Sequence, residues 1–272
     1  MIVDSHVHVW NAETEETPWR AAWREFAPRP SLSVDVLLAE MDAAGVDRAA
    51  VIPPEWDLGG NELVLAAATS HPDRLIAMPA LSLRSPDAPG QLESWRSRPG
   101  FGGLRQIFLK SPKYSPLMDG SADWLWRAAD DLGLRMMVWM PGQFQELGTV
   151  VAEYPNIRFA VDHLNLATRP SPTELDSVIE ALAALAHHTN LAVKVSALPT
   201  LVSDDYPYPA IHESVRTLVR AFGPDRVFWG SDFARLPSGY PNAVRMMRQI
   251  GLSDSDYDQV MGGSFIHWAN WL

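Results

Sequence analysis

The sequence predicts an α/β protein that folds as a single (β/α)8 barrel. Three observations carry this prediction. Short β-rich runs alternate with helical patterns along the whole chain, eight such runs are present, and 272 residues suit a barrel domain of roughly 250 residues. We find no linker-like, low-complexity segment that would divide the chain. One barrel domain is therefore expected over residues 1–272.

Each predicted strand is a short run rich in β-branched and other apolar residues. The eight runs cover residues 2–8, 48–53, 74–81, 102–109, 134–140, 157–163, 191–197 and 226–232. A helical pattern between the first two runs has Ser33 as its expected N-cap and Gly45 as its stop. Long loops after the first, fourth and seventh strands are expected to build a pocket at one face of the barrel. These loops cover residues 9–32, 110–120 and 198–209.

Composition and charge exclude several classes of partner. The chain has 22 Lys and Arg against 33 Asp and Glu, a formal charge of −11, which repels nucleic acid and anionic membranes. It has no cysteine, so disulfide scaffolds and thiolate metal sites are excluded. The N-terminal region lacks the pattern of a secretory signal, and no run of about 18 apolar residues occurs. We expect a cytoplasmic protein that acts on a small molecule.

The first predicted strand carries polar residues at every second position. In MIVDSHVHVW, the alternation of a strand places Asp4, His6 and His8 on one face and the valines on the other. The valine face suits the helix layer, so the polar face is expected to look into the barrel. An imidazole there is costly unless it has a partner or lies at the open end. The pair His6 and His8 at a strand end therefore predicts one wall of an active site.

The same alternation identifies two further residues at strand ends. In IRFAVDH, Ile157, Phe159, Val161 and His163 are expected to share the inner face, and in RVFWGSD the last inner residue is Asp232. The first and last strands become neighbours when a barrel closes, so Asp232 is expected beside His6 and His8, with His163 across the mouth.

Four more residues are candidates for substrate binding. Arg105 and Lys194 are expected to point into the barrel, where each cation would bind a substrate carboxylate or oxyanion, or else pair with Asp4 or another acid. Tyr206 and Tyr208 follow the seventh strand at the active face and are expected to contact substrate.

Several stretches of the sequence resemble the amidohydrolase-2 family of (β/α)8 hydrolases and decarboxylases. They are DSHVHVW, HPDRLIAMPAL, GGLRQIFL, VDHLNLATRP, VFWGSDF and VMGGSFIHW. The resemblance is greatest to the lactonase branch, which includes 2-pyrone-4,6-dicarboxylate lactonase and sugar-acid lactonases. It implies that His6, His8 and Asp232 could hold one divalent ion such as zinc, and that His163 matches the proton-transfer histidine. The fifth strand departs from the metal-dependent members, because Met137, Trp139 and Met140 lie where those members have a ligand histidine.

These observations lead to a functional expectation with an alternative. The leading expectation is hydrolysis of a small carboxylated or sugar-derived lactone, with Asp232 as general base if no metal takes part and with a pKa raised by burial. The alternative is a metal-dependent, non-oxidative decarboxylase of an aromatic or unsaturated acid. A barrel that binds small molecules without turnover would not need His6, His8, His163 and Asp232 together. Similar barrels also suggest a homodimer.

Overall fold

The computed structural model describes residues 1–19, 21, 27–57, 59–109 and 120–272. Its eight strands are β1 Val3–His8, β2 Arg48–Ile52, β3 Leu75–Ala77, β4 Leu104–Ile107, β5 Arg135–Trp139, β6 Arg158–Val161, β7 Leu191–Ser196 and β8 Val227–Gly230. Each corresponds to one predicted run, so the predicted (β/α)8 barrel is confirmed. Most of the strands are shorter than predicted, and several active-site residues lie in the turns after them. The predicted pocket loop at 110–120 lies outside the described residues, except for Gly120.

Helices follow the strands and form the outer layer. They are α1 Val34–Ala44, α2 Gly60–Ser70, α3 Ala88–Arg96, α4 Asp123–Asp131, α5 Phe144–Glu153, α6 Pro172–Ala184, α7 His212–Phe222, α8 Tyr240–Gln249, α9 Asp254–Asp258 and α10 Ser264–Ala269. The predicted caps of α1 are present, because the Ser33 side chain accepts from the Val36 backbone and Gly45 is left-handed. Among the helices that the described residues form, none combines the length and apolar character needed to cross a membrane.

All the strand pairs are parallel, and the barrel closes through two irregular joints. Regular ladders run β1-β2-β3 and β4-β5-β6-β7-β8. A parallel bridge between Ala77 and Phe101 joins the first ladder to the second. At the other joint, the backbone N–H of Asp232 donates to the carbonyl oxygen of His6 at 2.9 Å. The first and last strands are therefore neighbours, as predicted, and their C-terminal ends meet at the same opening.

The barrel interior below this opening is packed with apolar side chains. The inner cluster includes Val3, Ala50, Ile52, Met137, Ala160, Ala192 and Phe228. Helix α10 covers the N-terminal end of the barrel, where the Phe265 and Trp268 rings lie 5.7 and 5.6 Å from the Phe228 ring. Small residues from β2, β6 and β7 leave room for these aromatic rings. The interior is therefore a packed core and not a channel.

A bulge in β1 changes which side chains face inward. Asp4 pairs with Ala49 and Val7 pairs with Val51, so β1 has one more residue than β2 over this stretch. Asp4 consequently lies on the outer side, where its carboxylate accepts from the hydroxyl of Tyr240 on α8. The prediction that Asp4 shares a face with His6 and His8 is wrong. The extra residue in the bulge interrupts the alternation of side chains between the two faces of the strand. His6 and His8 themselves face inward as predicted.

Candidate active site

A cavity of about 390 Å³ lies at the C-terminal mouth of the barrel. Its titratable lining residues are His8, Glu55, Arg105, His163, Asp232 and Arg235. Its apolar lining includes Trp56, Leu109, Trp139, Leu166 and Leu201. The cavity therefore combines titratable groups on one side with aromatic and aliphatic walls, as is typical of a small-molecule site.

Left-handed backbone turns place two of the predicted residues in this cavity. His163 has φ 52° and Asp232 has φ 51°, and each lies two residues after the end of a parallel strand. A positive φ is uncommon for residues with a side chain and is concentrated at functional sites. Both turns change the direction of the chain at the strand ends, so the side chains of His163 and Asp232 reach the mouth.

The His163 side chain reaches the cavity, but not through the strand alternation that predicted it. Phe159 and Val161 face the helix layer, whereas Ala160 belongs to the inner cluster. His163 therefore would point outward if β6 continued, and it reaches the cavity because of its left-handed turn. Asp162, which the sequence analysis missed, faces the interior instead. The signal that could have revealed it is the small residue Ala160 two positions earlier, which is better suited to the crowded interior than Phe159.

A buried group of charged residues lies beneath the cavity. The Asp162 carboxylate is 2.8 Å from Lys194 Nζ and accepts from Arg105 Nε at 3.0 Å. Arg105 also donates to Glu55 at 2.9 Å. Burial would raise the pKa of Asp162, but Lys194, His6 and Arg105 outweigh burial and hold that pKa well below its usual range. Of the two alternatives for Arg105 and Lys194, the structure shows the ion pairs, with Asp162 and Glu55 as partners in place of Asp4.

The imidazoles of His6 and His8 are neutral and have defined hydrogen-bond roles. His8 Nδ1 lies 2.9 Å from the carbonyl oxygen of Ile52, which can only accept, so this nitrogen carries the proton. His8 Nε2 lies 3.3 Å from His6 Nε2. Burial lowers the pKa of His8 to about 3 and holds that of His6 well below its usual value. His6 is fully buried and lies beneath the cavity-lining residue His8.

His163 is held by Ser196, the last residue of β7. The backbone N–H of His163 donates to Ser196 Oγ at 3.1 Å, and its Nδ1 lies 2.9 Å from the same oxygen. The Ser196 hydroxyl can donate to Nδ1, which leaves the Nε2 proton for the cavity. Burial lowers the pKa of His163 to about 3, so this imidazole is also neutral. It lies against the His6 ring, with 4.4 Å between the ring centroids.

Asp232 is the carboxylate that lines the cavity beside these imidazoles. Its Oδ1 is 3.7 Å from His8 Nε2 and has no hydrogen-bond partner among the residues that the structure describes. Burial raises the pKa of Asp232 to about 7, against the opposing effects of Arg235 and Arg105. A buried carboxyl with such a pKa can exchange a proton near neutral pH.

The two predicted tyrosines lie elsewhere. Tyr208 is buried in the outer core, and Tyr206 is 39% exposed, with its hydroxyl accepting from Gln249 on α8 at 3.3 Å. The described lining of the cavity includes neither residue. The structure thus gives no support to their predicted contact with substrate.

Three residues are grouped closely enough to hold a metal ion. His6, Asp162 and His163 each offer a ligand atom, and these atoms all lie within 4.8 Å of one another. In the set predicted from sequence, His6 and His8 approach at 3.3 Å and His8 and Asp232 at 3.7 Å. Neutral imidazole and carboxylate are ligands that zinc accepts.

The fold and the site together define a (β/α)8-barrel enzyme whose neutral histidines and carboxylate converge at the C-terminal mouth. The model of the amidohydrolase family matches residues 3–263, and the chain therefore belongs to this family.

Individual relatives agree with this assignment. An L-fucono-1,5-lactonase of Burkholderia ambifaria is 26% identical over 248 residues, covering 85% of this chain and 79% of the relative. A zinc-bound amidohydrolase from Burkholderia multivorans has a similar structure, with a TM-score of 0.84, 18% identity and 99% of each chain covered. A probable 2-pyrone-4,6-dicarboxylic acid hydrolase from Acinetobacter baumannii, with bound citric acid, gives a TM-score of 0.79 at 16% identity over 99% of each chain.

Proposed function

We propose that this enzyme hydrolyses a small lactone to the corresponding hydroxy acid, with Asp232 as the general base. The observation that carries the proposal is Asp232 Oδ1 at the cavity wall, which has no hydrogen-bond partner among the described residues and lies 3.7 Å from His8 Nε2. An open acceptor position on a carboxylate oxygen can take a hydrogen bond from a water molecule in the cavity. A water held in this way keeps its lone pairs free to attack a carbonyl carbon.

The reaction needs one proton to be moved and returned. Asp232 takes a proton from the attacking water as the new C–O bond forms. When the ring C–O bond breaks, the leaving alkoxide takes a proton from the carboxyl group of Asp232. The product is a hydroxy acid, and the base is regenerated. The raised pKa of Asp232 suits both steps at neutral pH.

His163 is suited to stabilise the negative charge that develops on the carbonyl oxygen. Its Nε2 proton is free for the cavity, since Ser196 engages Nδ1. The ring is neutral, so it donates a hydrogen bond without transferring a proton to the substrate beforehand. His8 and His6 form the wall beside Asp232, with His6 beneath His8. These roles follow the predicted catalytic set, with His6 acting through its neighbour.

The charges around the cavity favour an uncharged, sugar-derived lactone over a carboxylated one. Arg105, the predicted partner of a substrate carboxylate, already binds both Asp162 and Glu55. Lys194 is fully buried and paired with Asp162. The indole rings of Trp56 and Trp139 instead offer apolar faces to the ring C–H groups of a sugar. The lactonase activity named for the Burkholderia ambifaria relative supports this choice.

His6, Asp162 and His163 are residue types that bind a divalent metal ion, and they lie close enough together to hold one. All three are buried or partly buried, and both imidazoles are neutral, as metal binding requires. When bound, such an ion would supply Lewis-acid polarisation of the substrate carbonyl. The proton transfers assigned to Asp232 belong to the protein itself and do not depend on this ion.

A substrate screen tests the proposal directly. Purified enzyme is offered uncharged sugar lactones, pyrone carboxylates and aromatic acids, and acid release and carbon dioxide release are recorded in parallel. We expect acid release from uncharged lactones and a loss of about 10²–10⁴-fold in kcat for Asp232→Asn, the usual contribution of a general base. The matched control is Asp73→Asn, an exposed aspartate on the opposite rim. Carbon dioxide release from an aromatic acid would instead establish the decarboxylase, and full activity of Asp232→Asn would remove Asp232 from the mechanism.

A further inference from the structure

Lys194 occupies the centre of the group that could bind a metal. Its Nζ lies 2.8 Å from His6 Nδ1, 2.8 Å from Asp162 Oδ1 and 3.2 Å from Met137 Sδ. The side chain is fully buried, as are those of His6 and Asp162. The ammonium group thus contacts two of the three metal-ligand residues directly. Burying this charge is costly unless it has a specific partner, and Asp162 is that partner.

We propose that Lys194 is a positioning residue that serves as the resident cation of this site and fixes His6 with its proton on Nε2. An ammonium group can only donate, so His6 Nδ1 must accept from Lys194. The His6 proton then lies on Nε2 and points to His8 Nε2, while His8 Nδ1 donates to Ile52. One chain of hydrogen bonds therefore runs from Lys194 to the cavity wall.

This arrangement has a direct consequence for metal binding. A divalent ion near His6 and Asp162 must compete with the ammonium group for the same ligand atoms and is repelled by its charge. Without Lys194, Asp162 Oδ1, which lies 3.7 Å from His6 Nδ1, becomes the nearest acceptor for a proton there. His6 then changes tautomer, and its Nε2 lone pair joins that of His8 as a chelating pair. Lys194 therefore weakens metal binding while it orients His6.

The first test is the tautomer of His6 in the wild-type enzyme. We expect nitrogen-15 NMR of the imidazole rings to show His6 with a non-protonated Nδ1 and a protonated Nε2. The Lys194→Met variant is expected to show the reverse, and Lys194→Gln, whose amide can still donate, is expected to keep the wild-type tautomer. A protonated Nδ1 in the wild-type protein overturns the proposal, and this result needs no variant to fold.

The second test is zinc affinity, measured by calorimetry on protein freed of metal. We expect Lys194→Met to bind zinc at least roughly tenfold more tightly than wild type, the scale on which groups around metal ligands act. Arg158→Met is the matched control, because it removes one positive charge at the other end of the barrel. Equal zinc affinity in the wild type and Lys194→Met overturns the proposal. Neither readout uses a substrate, so the result is independent of the lactonase reaction.

Discussion

The hydroxyl group of Tyr240 donates a hydrogen bond of 2.8 Å to Asp4 Oδ2, and both side chains are fully buried between the barrel and α8. The other carboxylate oxygen of Asp4 accepts from the backbone N–H groups of His6 at 2.9 Å and Ser231 at 2.8 Å. One carboxylate therefore ties the strand that carries His6 to the turn that carries Asp232. Asp4 acts on the site from outside the barrel wall.

The Tyr240→Phe variant removes the donor to Asp4 and keeps the ring. We expect a loss of about 1–3 kcal/mol in the free energy of unfolding, because a buried acceptor loses its partner. We also expect a lower kcat at little changed KM, since Asp4 holds the backbone beneath two site residues. Chemical denaturation and steady-state kinetics measure the two effects. The control is Tyr154→Phe, at the end of α5. Equal results for the two variants would show that the hydrogen bond to Asp4 does not help to position the site residues.

Gly230 of β8 lies in close contact with the neighbouring strands β1 and β7. A Cβ atom at this position would lie 2.9 Å from Ser5 Oγ, 3.0 Å from His6 Cβ and 3.1 Å from Ser196 Cβ. We expect Gly230→Ala to cost about 1–3 kcal/mol of stability through overpacking. Activity should fall as well, because both His6 and Ser196 must shift.

Gly90→Ala provides the contrast for this prediction. Gly90 lies inside α3, and an added Cβ there meets open space among the described residues. This change should raise stability by roughly 0.5–1 kcal/mol through helix propensity. Thermal unfolding of both variants gives the comparison, and a Gly230→Ala enzyme of normal stability and rate would contradict the close approach.

Ser196 is expected to control the orientation of His163. Among the residues that the structure describes, only its hydroxyl is hydrogen-bonded to both the backbone N–H and the Nδ1 of His163. We expect Ser196→Ala to lower kcat by about tenfold, which corresponds to one hydrogen bond of roughly 1.4 kcal/mol. Ser264→Ala is the control, because Ser264 is also buried and hydrogen-bonded but lies near the N-terminal end of β8. It should lose stability and retain kcat, and an equal loss of kcat in both variants would point to a general effect on folding.

The sequence predicts the fold and the location of the site well, because both depend on local patterns. Eight β-rich runs and their order are enough for a closed barrel, and closure alone brings Asp232 to the first strand. His8 lies in the cavity for the predicted reason, and barrel closure brings Asp232 beside it, but Asp232 reaches the mouth through a left-handed turn. His163 also lies there because of a left-handed turn, which strand alternation does not predict.

Other features of the site depend on contacts that are distant in sequence. The bulge in β1 turns Asp4 outward. No residue type near Asp4 predicts that the strand has an extra residue at this point. Asp162 does not emerge from the sequence, because strand alternation there predicts the large residues Phe159 and Val161 on the inner face. The ion pairs of Arg105 and Lys194 converge on Asp162 from β4 and β7, so their partners could be identified only once the strands were placed in space.

The pH dependence of the rate gives a last prediction, for protein treated with a chelator to remove metal. Burial raises the pKa of Asp232 to about 7, and a general base works only as the carboxylate. The rate should therefore be lost as the pH falls through about 7 and should level off above it. His8 and His163, each with a pKa lowered to about 3 by burial, stay neutral throughout this range and add no second inflection near neutrality. Initial rates of lactone hydrolysis between pH 5 and pH 9, corrected for spontaneous opening, measure the profile. A midpoint near 4, the value of an exposed aspartate, would show that Asp232 is not held in the buried environment on which its role as base depends.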